Sequence, residues 1–421
     1  MINIAIVGVG TVGESVANIL KNNADLISAR AGKELRVVKG VVRDLSKKRD
    51  VSIPLTDDVN EVLNDKDIDI VVELMGGVDE PYQVVKKALE NGKAVVTANK
   101  ALLAYHRYDL QKIAGDLPIG YEASVAGGIP IINALKVGLS ANKIVAIKGI
   151  INGTCNYMLT KMINEGIDFE TILKEAQELG YAEADPTFDI GGFDAAHKLL
   201  ILASIAYGID SKPEDILIEG IEGINSNDIE FAKEFGYSIK LLAIAKKIDE
   251  NIELRVHPVL IKNDQMISKI DGVMNGISVI GDYVGETLYY GAGAGGDATA
   301  SAVVSDIVEI VRAGKSSPML GFKKPFKSEN LKILPTDEIK TKYYLRVAVK
   351  DEKGVLAKIS KTLGDNNISI DTFLQKQAGD DEAVLLFSTH ECFEKEIKKA
   401  IKEIESYDFI NHKVSMIRIE D

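Results

Sequence analysis

Gly8-Val9-Gly10-Thr11-Val12-Gly13 follows a short apolar run at residues 4–7 and opens a stretch of helical spacing at 12–20. This is the feature that most restricts the fold. An apolar run of that length reads as a buried parallel strand. Gly8 permits the tight turn out of the strand, Gly10 lets the backbone approach a pyrophosphate, and Gly13 lets the helix close onto the strand. Thr11 then precedes a helix that opens at Val12, whose free N–H groups and positive dipole end suit phosphate. Further apolar runs at 35–42, 69–74 and 94–98, with a helical stretch at 81–91, continue the alternation. Strands alternating with helices imply a Rossmann-type α/β domain, a parallel sheet wound with crossover helices.

The residue at the end of the second strand selects between NAD and NADP in such domains: an acidic side chain binds the ribose 2′-hydroxyl, whereas basic groups favour a 2′-phosphate. Here Arg43 is followed by Asp44, with Lys47, Lys48 and Arg49 close behind. Arg43 stands where a 2′-phosphate would lie, Asp44 is its rival, and the choice between NADP and NAD stays open. The formal charge of −13 argues against nucleic acid as a partner, because phosphate backbones need a basic surface. No stretch approaches the ~20 apolar residues needed to span a bilayer, and the N-terminal apolar run is too short for a signal peptide. The two cysteines, Cys155 and Cys392, match no metal-ligand spacing and fit a reducing cytoplasm.

Four segments are expected. Residues 1–135, rejoined by a helical stretch at about 298–315, form the dinucleotide-binding domain. Residues 136–297 mix strands (143–150, 252–260) with longer helices (168–179, 194–207) and read as an α+β catalytic and dimerisation domain. Residues 316–341, with Pro318, Pro325 and Pro335 and several lysines, read as a linker. Residues 342–421 carry a ferredoxin-like βαββαβ pattern, with Leu345, Val347 and Val349 alternating on a strand and Ile397, Ala400, Ile401 and Ile404 on a helical stripe.

The most informative chemistry lies at 176–198, where carboxylates and a lysine crowd a turn-rich segment entering a strongly apolar helix. Asp194 and Lys198, four apart, share one helix face. Asp194 lies near the helix N-terminus, where a carboxylate is favoured. The run Leu199-Leu200-Ile201-Leu202 beside Lys198 implies partial desolvation, which lowers a lysine's pKa and suits it to proton transfer. On this helix alone, a surface ion pair is an equal alternative. His197 is one step round the helix and reads as a packed or surface residue. Cys155 reads as a small packed residue, and His257, before Pro258, as strand-end structure.

The segment 176–198 resembles the signature of the homoserine dehydrogenase family along its length. Thr97-Ala98-Asn99-Lys100, Glu122-Ala123-Ser124-Val125-Ala126-Gly127-Gly128-Ile129-Pro130, Asn152-Gly153-Thr154-Cys155-Asn156-Tyr157 and Gly291-Ala292-Gly293-Ala294-Gly295 are similar to further segments of that family, and the tail resembles an ACT module. The resemblance implies an NAD(P)H-dependent reduction of L-aspartate 4-semialdehyde to L-homoserine. It implies Lys198 as the acid/base at the substrate's C4 oxygen, Asp194 orienting it, and Lys100 holding the nicotinamide and substrate oxygen region. Glu183 would bind the substrate's α-ammonium, with Tyr181, Asp189 and Thr154 nearby, and Gly180 and Gly295 would line the cofactor. A sodium ion would be held by Glu122 and the backbone carbonyls of Val125, Gly127 and Ile129, an all-oxygen set suited to a hard cation. The ACT module implies an amino-acid effector, threonine, and a homodimer or higher homo-oligomer. Two other readings are an oxidoreductase acting on a related amino-acid aldehyde or keto acid, and a non-catalytic nucleotide and amino-acid sensor. A chain cut near Lys340 is expected to stay active and to lose its response to threonine.

Overall fold

The computed structural model describes residues 1–313, 318–323, 331–377 and 381–420. The chain divides into two compact units, each built from three stretches.

The first unit comprises Met1–Gly153, Asp194–Ile216 and Val273–Leu331. Its sheet contains β1 (Ile2–Val7), β2 (Leu35–Val41), β3 (Leu55–Thr56), β4 (Ile70–Glu73), β5 (Ala94–Thr97) and β6 (Ile119–Gly120), all parallel, in the order β3-β2-β1-β4-β5-β6. The order reverses between β1 and β4, and in such sheets ligands bind beyond the carboxyl ends of the strands at that switch. Ile4, Ile6, Ile70 and Val72 are buried, as expected for strands covered on both faces. Helices α1 (Thr11–Asn22), α2 (Asp79–Glu90) and α3 (Lys100–Ala114) follow β1, β4 and β5. The unit also holds β7 (Ile144–Ile150), α4 (Phe193–Tyr207), β8 (Met274–Gly281), β9 (Gly285–Ala292) and α5 (Gly296–Ala313). β8 pairs antiparallel with both β7 and β9. In helix α5, Ala300, Val303 and Ile307 pack with Ile4, Ile6, Val16 and Leu20.

Helix α4 is apolar nearly all round and buried along most of its length. It is tied to α3 by a buried arginine. Arg107 donates from Nε to the Ser204 hydroxyl at 2.7 Å and from its terminal nitrogen to the Ser211 carbonyl at 2.7 Å. Tyr108 donates to the Ile209 carbonyl at 2.6 Å.

The second unit comprises Thr154–Phe193, Leu217–Gly272 and Lys332–Asp421. Its centre is a long hairpin, Tyr237–Ile248 against Asn251–Lys262. The tail forms Lys340–Lys350, Val355–Asp365, Ile370–Gln377, Glu382–Thr389, Glu394–Ile404 and Ser415–Glu420, the expected βαββαβ order around its own apolar core. Its last strand pairs on one side with Lys340–Lys350 and on the other, in parallel, with Asn251–Lys262, Arg418 lying opposite Val259.

Three expectations change. His257 is not at a strand end: it lies mid-strand in Asn251–Lys262 and is fully buried, which holds its pKa well below the ordinary value, with the cations Arg418 and Arg255 adding to the effect. The stretch 316–341 is only partly open to description, since 314–317 and 324–330, with Pro325, lie outside the described residues. Within it, Met319 and Leu320 are buried, and Lys332–Ile333 pairs with Asn251 and Ile252. Finally, the tail is more than an appendage on a linker, and a cut near Lys340 would also break pairing within the second unit. It would strip the hydrogen-bonded neighbour from Asn251–Lys262 and remove Glu420, which accepts from Arg255 at 2.7 Å and also pairs with Lys246.

Arg255 is buried and keeps Glu253 at 2.6 Å when Glu420 is lost. Removing one partner of a buried ion pair costs about 3–5 kcal/mol, and the remaining carboxylate places this site near the lower figure. Glu420→Ala is therefore expected to lower unfolding stability by about 3 kcal/mol in urea titrations followed by circular dichroism. A loss below about 0.5 kcal/mol, the range of an ordinary surface substitution, would show that this joint is not held by charge.

Candidate active site

Helix α3 begins where the Asn99 side chain accepts the Leu102 amide at 3.0 Å, a side-chain N-cap that fixes Lys100 as the first helical residue. Helix α4 begins at Phe193, so Asp194 and Lys198 lie one turn apart on it. The buried Asp194 carboxylate is shared. Lys100 Nζ lies 2.9 Å from Oδ1, while Lys198 Nζ at 2.7 Å and Asn152 Nδ2 at 2.9 Å both donate to Oδ2. Lys198 also donates to the Ile151 carbonyl, just past β7, at 2.7 Å. Burial alone would push the Asp194 carboxyl up, but the charges of Lys198 and Lys100 outweigh it and hold the group well below the usual carboxylate range. The surface ion-pair alternative fails on exposure, since the two side chains are only 4% and 11% accessible.

An ammonium has three donors. For Lys198, two are directed at Asp194 and Ile151. The third can meet an oxygen of a bound molecule, in the geometry of a group that stabilises or protonates an alkoxide. Asn152 belongs to the Asn-Gly-Thr segment noted in the sequence, but only the fold shows that its amide reaches Asp194. His197 is buried edge-on against Tyr105, ring centroids 5.5 Å apart, and burial lowers its pKa.

The glycine turn has the shape its sequence implies. Gly8 has φ +104°, and a Cβ there would lie 2.5 Å from the Leu74 carbonyl oxygen. A Cβ on Gly13 would lie 2.4 Å from the Gly8 carbonyl oxygen, whereas Gly10 faces open space. Beside this turn is a cleft of about 300 Å³ whose lining includes Gly8, Gly10, Val42, Arg43, Arg49 and Glu80. Thr11 and Val12 open α1. Arg43 is exposed and pairs with Glu80 at 3.0 Å. Asp44 is folded onto its own loop, where Oδ1 accepts both the Ser46 amide and hydroxyl, bonds that lower its pKa. Arg49 donates to the Val9 carbonyl at 2.8 Å, inside the glycine turn; the sequence placed it only among nearby basic residues.

The glycine-rich segments at 126–128 and 291–295 pack on each other. The Gly128 amide donates to the Ala292 carbonyl at 3.0 Å, and a Cβ on Gly127 would lie 2.6 Å from the Gly293 carbonyl oxygen. Gly295, φ +118°, borders open space. Both carboxylate oxygens of buried Glu122 are engaged, by the Ile132 amide at 2.7 Å and the Asn133 amide at 2.8 Å, while burial pushes its pKa up to about 7. The Ile129 carbonyl accepts the Ile131 amide. Among the described residues, the buried carbonyls of Val125 and Gly127 receive no such donor.

The second unit carries the other candidates. Thr154 donates to the Tyr181 carbonyl at 2.5 Å, and the Tyr157 and Tyr181 rings meet at 5.0 Å. Glu183 is exposed, its carbonyl accepting from Gln177 at 3.1 Å. Cys155 is buried, its thiol donating to the Asp189 carbonyl at 3.2 Å. Gly180 takes φ +75° in open space.

Three family models match successive stretches of the chain. Residues 8–115 match the family "Homoserine dehydrogenase, NAD binding domain", 130–308 the family "Homoserine dehydrogenase" and 343–409 the "ACT domain". A homoserine dehydrogenase of Helicobacter pylori is 58% identical, covering 100% of this chain and 99% of that protein. One from Neisseria gonorrhoeae is 47% identical, over 100% and 98%. A crystal structure of a homoserine dehydrogenase from Thiobacillus denitrificans superposes with a TM-score of 0.93 at 46% identity, covering 100% of this chain and 98% of that one. A hyperthermophilic archaeal homoserine dehydrogenase in complex with NADPH gives a TM-score of 0.63 at 28% identity, over 77% and 99%.

Gly13→Ala is expected to push α1 off the turn and weaken dinucleotide binding by at least about tenfold, ~1.4 kcal/mol, measured by fluorescence titration with NADPH. Binding within twofold of the parent protein, with an unchanged far-ultraviolet circular dichroism spectrum, would count against this turn as the phosphate cradle.

Proposed function

This chain belongs to the homoserine dehydrogenase family, and we propose that Lys198 is the group that moves the proton in its reaction. The activity is NAD(P)-dependent interconversion of L-aspartate 4-semialdehyde and L-homoserine, a step of threonine and methionine biosynthesis. What carries the assignment is the Lys198 ammonium, 2.7 Å from the Asp194 carboxylate and 2.7 Å from the Ile151 carbonyl, with one N–H left over.

Oxidation of homoserine removes a proton from the C4 hydroxyl and a hydride from C4. Nicotinamide, when bound, supplies the hydride chemistry. Lys198, as the neutral amine, takes the hydroxyl proton in this direction and, as the ammonium, returns it to the nascent alkoxide in the other. Asp194 orients that amine, and Lys100, on the other carboxylate oxygen, holds the nicotinamide and substrate oxygen region. For the substrate's α-ammonium the reading is Glu183, an exposed carboxylate, with Tyr181, Asp189 and Thr154 beside it in the sequence segments that resemble the family's. Gly180 and Gly295, both with open space at Cα, suit the cofactor's approach.

The cofactor turn comprises Gly8, Gly10, Thr11, Val12 and Gly13. Arg43 and Arg49 in the adjoining cleft favour a 2′-phosphate, and the engagement of Asp44 by Ser46 removes its rival, so NADP is the preferred cofactor on this reading. Sodium would be held by Glu122 and the carbonyls of Val125, Gly127 and Ile129; among the described residues no backbone amide donates to the Val125 and Gly127 carbonyls, which supports that oxygen set. The ACT module takes an amino-acid effector, for which threonine, an end product, is proposed, in a homodimer or higher oligomer. Two buried free cysteines agree with the reducing cytoplasm as its compartment.

Lys198→Ala is expected to lower kcat by about 10²–10⁴-fold while NADPH still binds. Lys198→Arg should fail as well, since a guanidinium stays protonated. Near-parental kcat in either variant would remove Lys198 from the proton step. Arg43→Ala should shift the ratio of kcat/KM for NADP over NAD toward NAD. If that ratio does not change, Arg43 does not read the 2′-phosphate.

A further inference from the structure

In the second unit, the last strand of the tail carries Arg418, fully buried, between two carboxylates. On one side it donates from Nε to Glu394 at 2.9 Å, with its terminal nitrogen also on that group. On the other its two terminal nitrogens meet Glu219, at 2.7 and 2.9 Å, as a bidentate pair. Tyr343 donates to Glu394 at 2.8 Å, and Lys398 lies 3.3 Å from it. Glu394 and Tyr343 belong to the tail, but Glu219 does not. It follows the short strand Leu217–Ile218 and hydrogen-bonds through its amide to the Val256 carbonyl.

Glu219 is the anchor of a very close contact. A Cβ on the next residue, Gly220, would lie 2.5 Å from the Ile190 carbonyl oxygen and 2.9 Å from the Gly191 Cα. The Ile221 amide donates to that same Ile190 carbonyl at 3.0 Å. A Cβ on Gly192, φ +85°, would lie 3.3 Å from Ile218 and 3.4 Å from the Glu219 carbonyl oxygen. The backbone at 217–221 is therefore pressed onto the backbone at 190–192 with no room for a methyl group. Residues 190–192 end the short helix Thr187–Ile190, which carries Asp189 and follows the turn that carries Glu183; the reading above assigns Glu183, with Asp189 beside it, to the substrate's amino-acid end.

We propose that Glu219, clamped by Arg418 of the ACT module, is a positioning residue for substrate binding: the ion pair sets where 217–221 presses on 190–192, and so sets the conformation of the segment that carries Glu183 and Asp189. Arg418 suits this role because a planar fork can serve two carboxylates at once in a fixed geometry. The inference gives the ACT module a physical route to the substrate that runs through one bidentate pair and one glycine contact. It rests on the assignment of the 180–189 segment to substrate.

Glu219 is partly exposed, so Glu219→Gln keeps the shape and removes the charge. On the full-length enzyme, the expected result is an increase in homoserine KM on the order of tenfold, with kcat and the NADP KM within about twofold, because positioning of a binding group is lost and the chemical step is not. Gly220→Ala, which pushes on Ile190 from the same side without altering charge, should raise homoserine KM in the same direction. Lys398→Ala, which touches the cluster only from outside Glu394, serves as the control and should leave KM unchanged. Glu183→Gln, measured in parallel, separates the two ideas. If Glu183→Gln raises homoserine KM but Glu219→Gln and Gly220→Ala lower only the melting temperature, the coupling is wrong and the cluster is merely structural. If Glu183→Gln also leaves KM unchanged, the substrate assignment itself falls. Should Glu219→Gln prove insoluble, Glu219→Asp, which keeps the charge but shortens the reach, carries the same expectation and the same refutation.

Discussion

A carboxylate buried to the extent of Asp194 is costly to ionise unless opposite charge is brought to it, and the first unit is arranged around that requirement. Three separate stretches are involved: α3 brings the charge of Lys100, the next turn of α4 brings that of Lys198, and the residues after β7 add the Asn152 amide on Asp194 and the Ile151 carbonyl that holds Lys198. None of these could move far without leaving a buried charge short of a partner. The Arg107 bonds between α3 and the end of α4 work in the same direction, holding the two lysine-bearing helices in one relation. The Lys198 ammonium is thereby held between the Asp194 carboxylate and the Ile151 carbonyl, and preorganisation of this kind is what makes a charged group effective at a developing charge.

The glycine positions impose a different kind of constraint, one of space. At Gly8 and Gly13 the missing Cβ is what allows β1, Leu74 and α1 to converge at the sheet's switch point. Gly10 is different, because nothing fills the room beside it. Two glycines are used for packing and one is left for a ligand, which is the division a pyrophosphate site needs. The contact of 126–128 with 291–295 repeats the packing use, with Gly127 and Gly293 each leaving no space for a side chain.

Much of this was readable from the chain because it is local. The strand, turn and helix of residues 2–22, the βαββαβ tail, and the shared face of Asp194 and Lys198 all follow from spacing within one or two elements. What depends on tertiary contact was not. Lys100 and Asn152 lie far from Asp194 in sequence, and nothing in their neighbourhoods shows that they converge on one carboxylate. Arg49 looked like one basic residue among several in a loop; only the folded loop shows its guanidinium on the Val9 carbonyl. His257 was misplaced for a related reason. Pro258 suggested a strand end beside His257, although the apolar run at 252–260 continues past it and the strand spans Asn251–Lys262.

The tail shows how a module can be recognised by pattern and still not be separable. Its final strand has one neighbour inside the module and another outside it, so its register must satisfy both. Apolar packing alone would specify that register weakly, because the strand is short. Arg418 and Glu420 lie two apart and therefore on one face, each meeting a charged partner from outside the tail's own fold, the partly exposed Glu219 and the buried Arg255, while Ile417 and Ile419 take the other. A slip of one residue would exchange the faces, turning the isoleucines toward the carboxylates and driving Arg418 and Glu420 toward the apolar side. Burying unpaired charge in that way costs far more than the mispacking of two isoleucines. The charges thus act chiefly by excluding the wrong register, and they do so across the edge where the ACT module and the hairpin pair as strands.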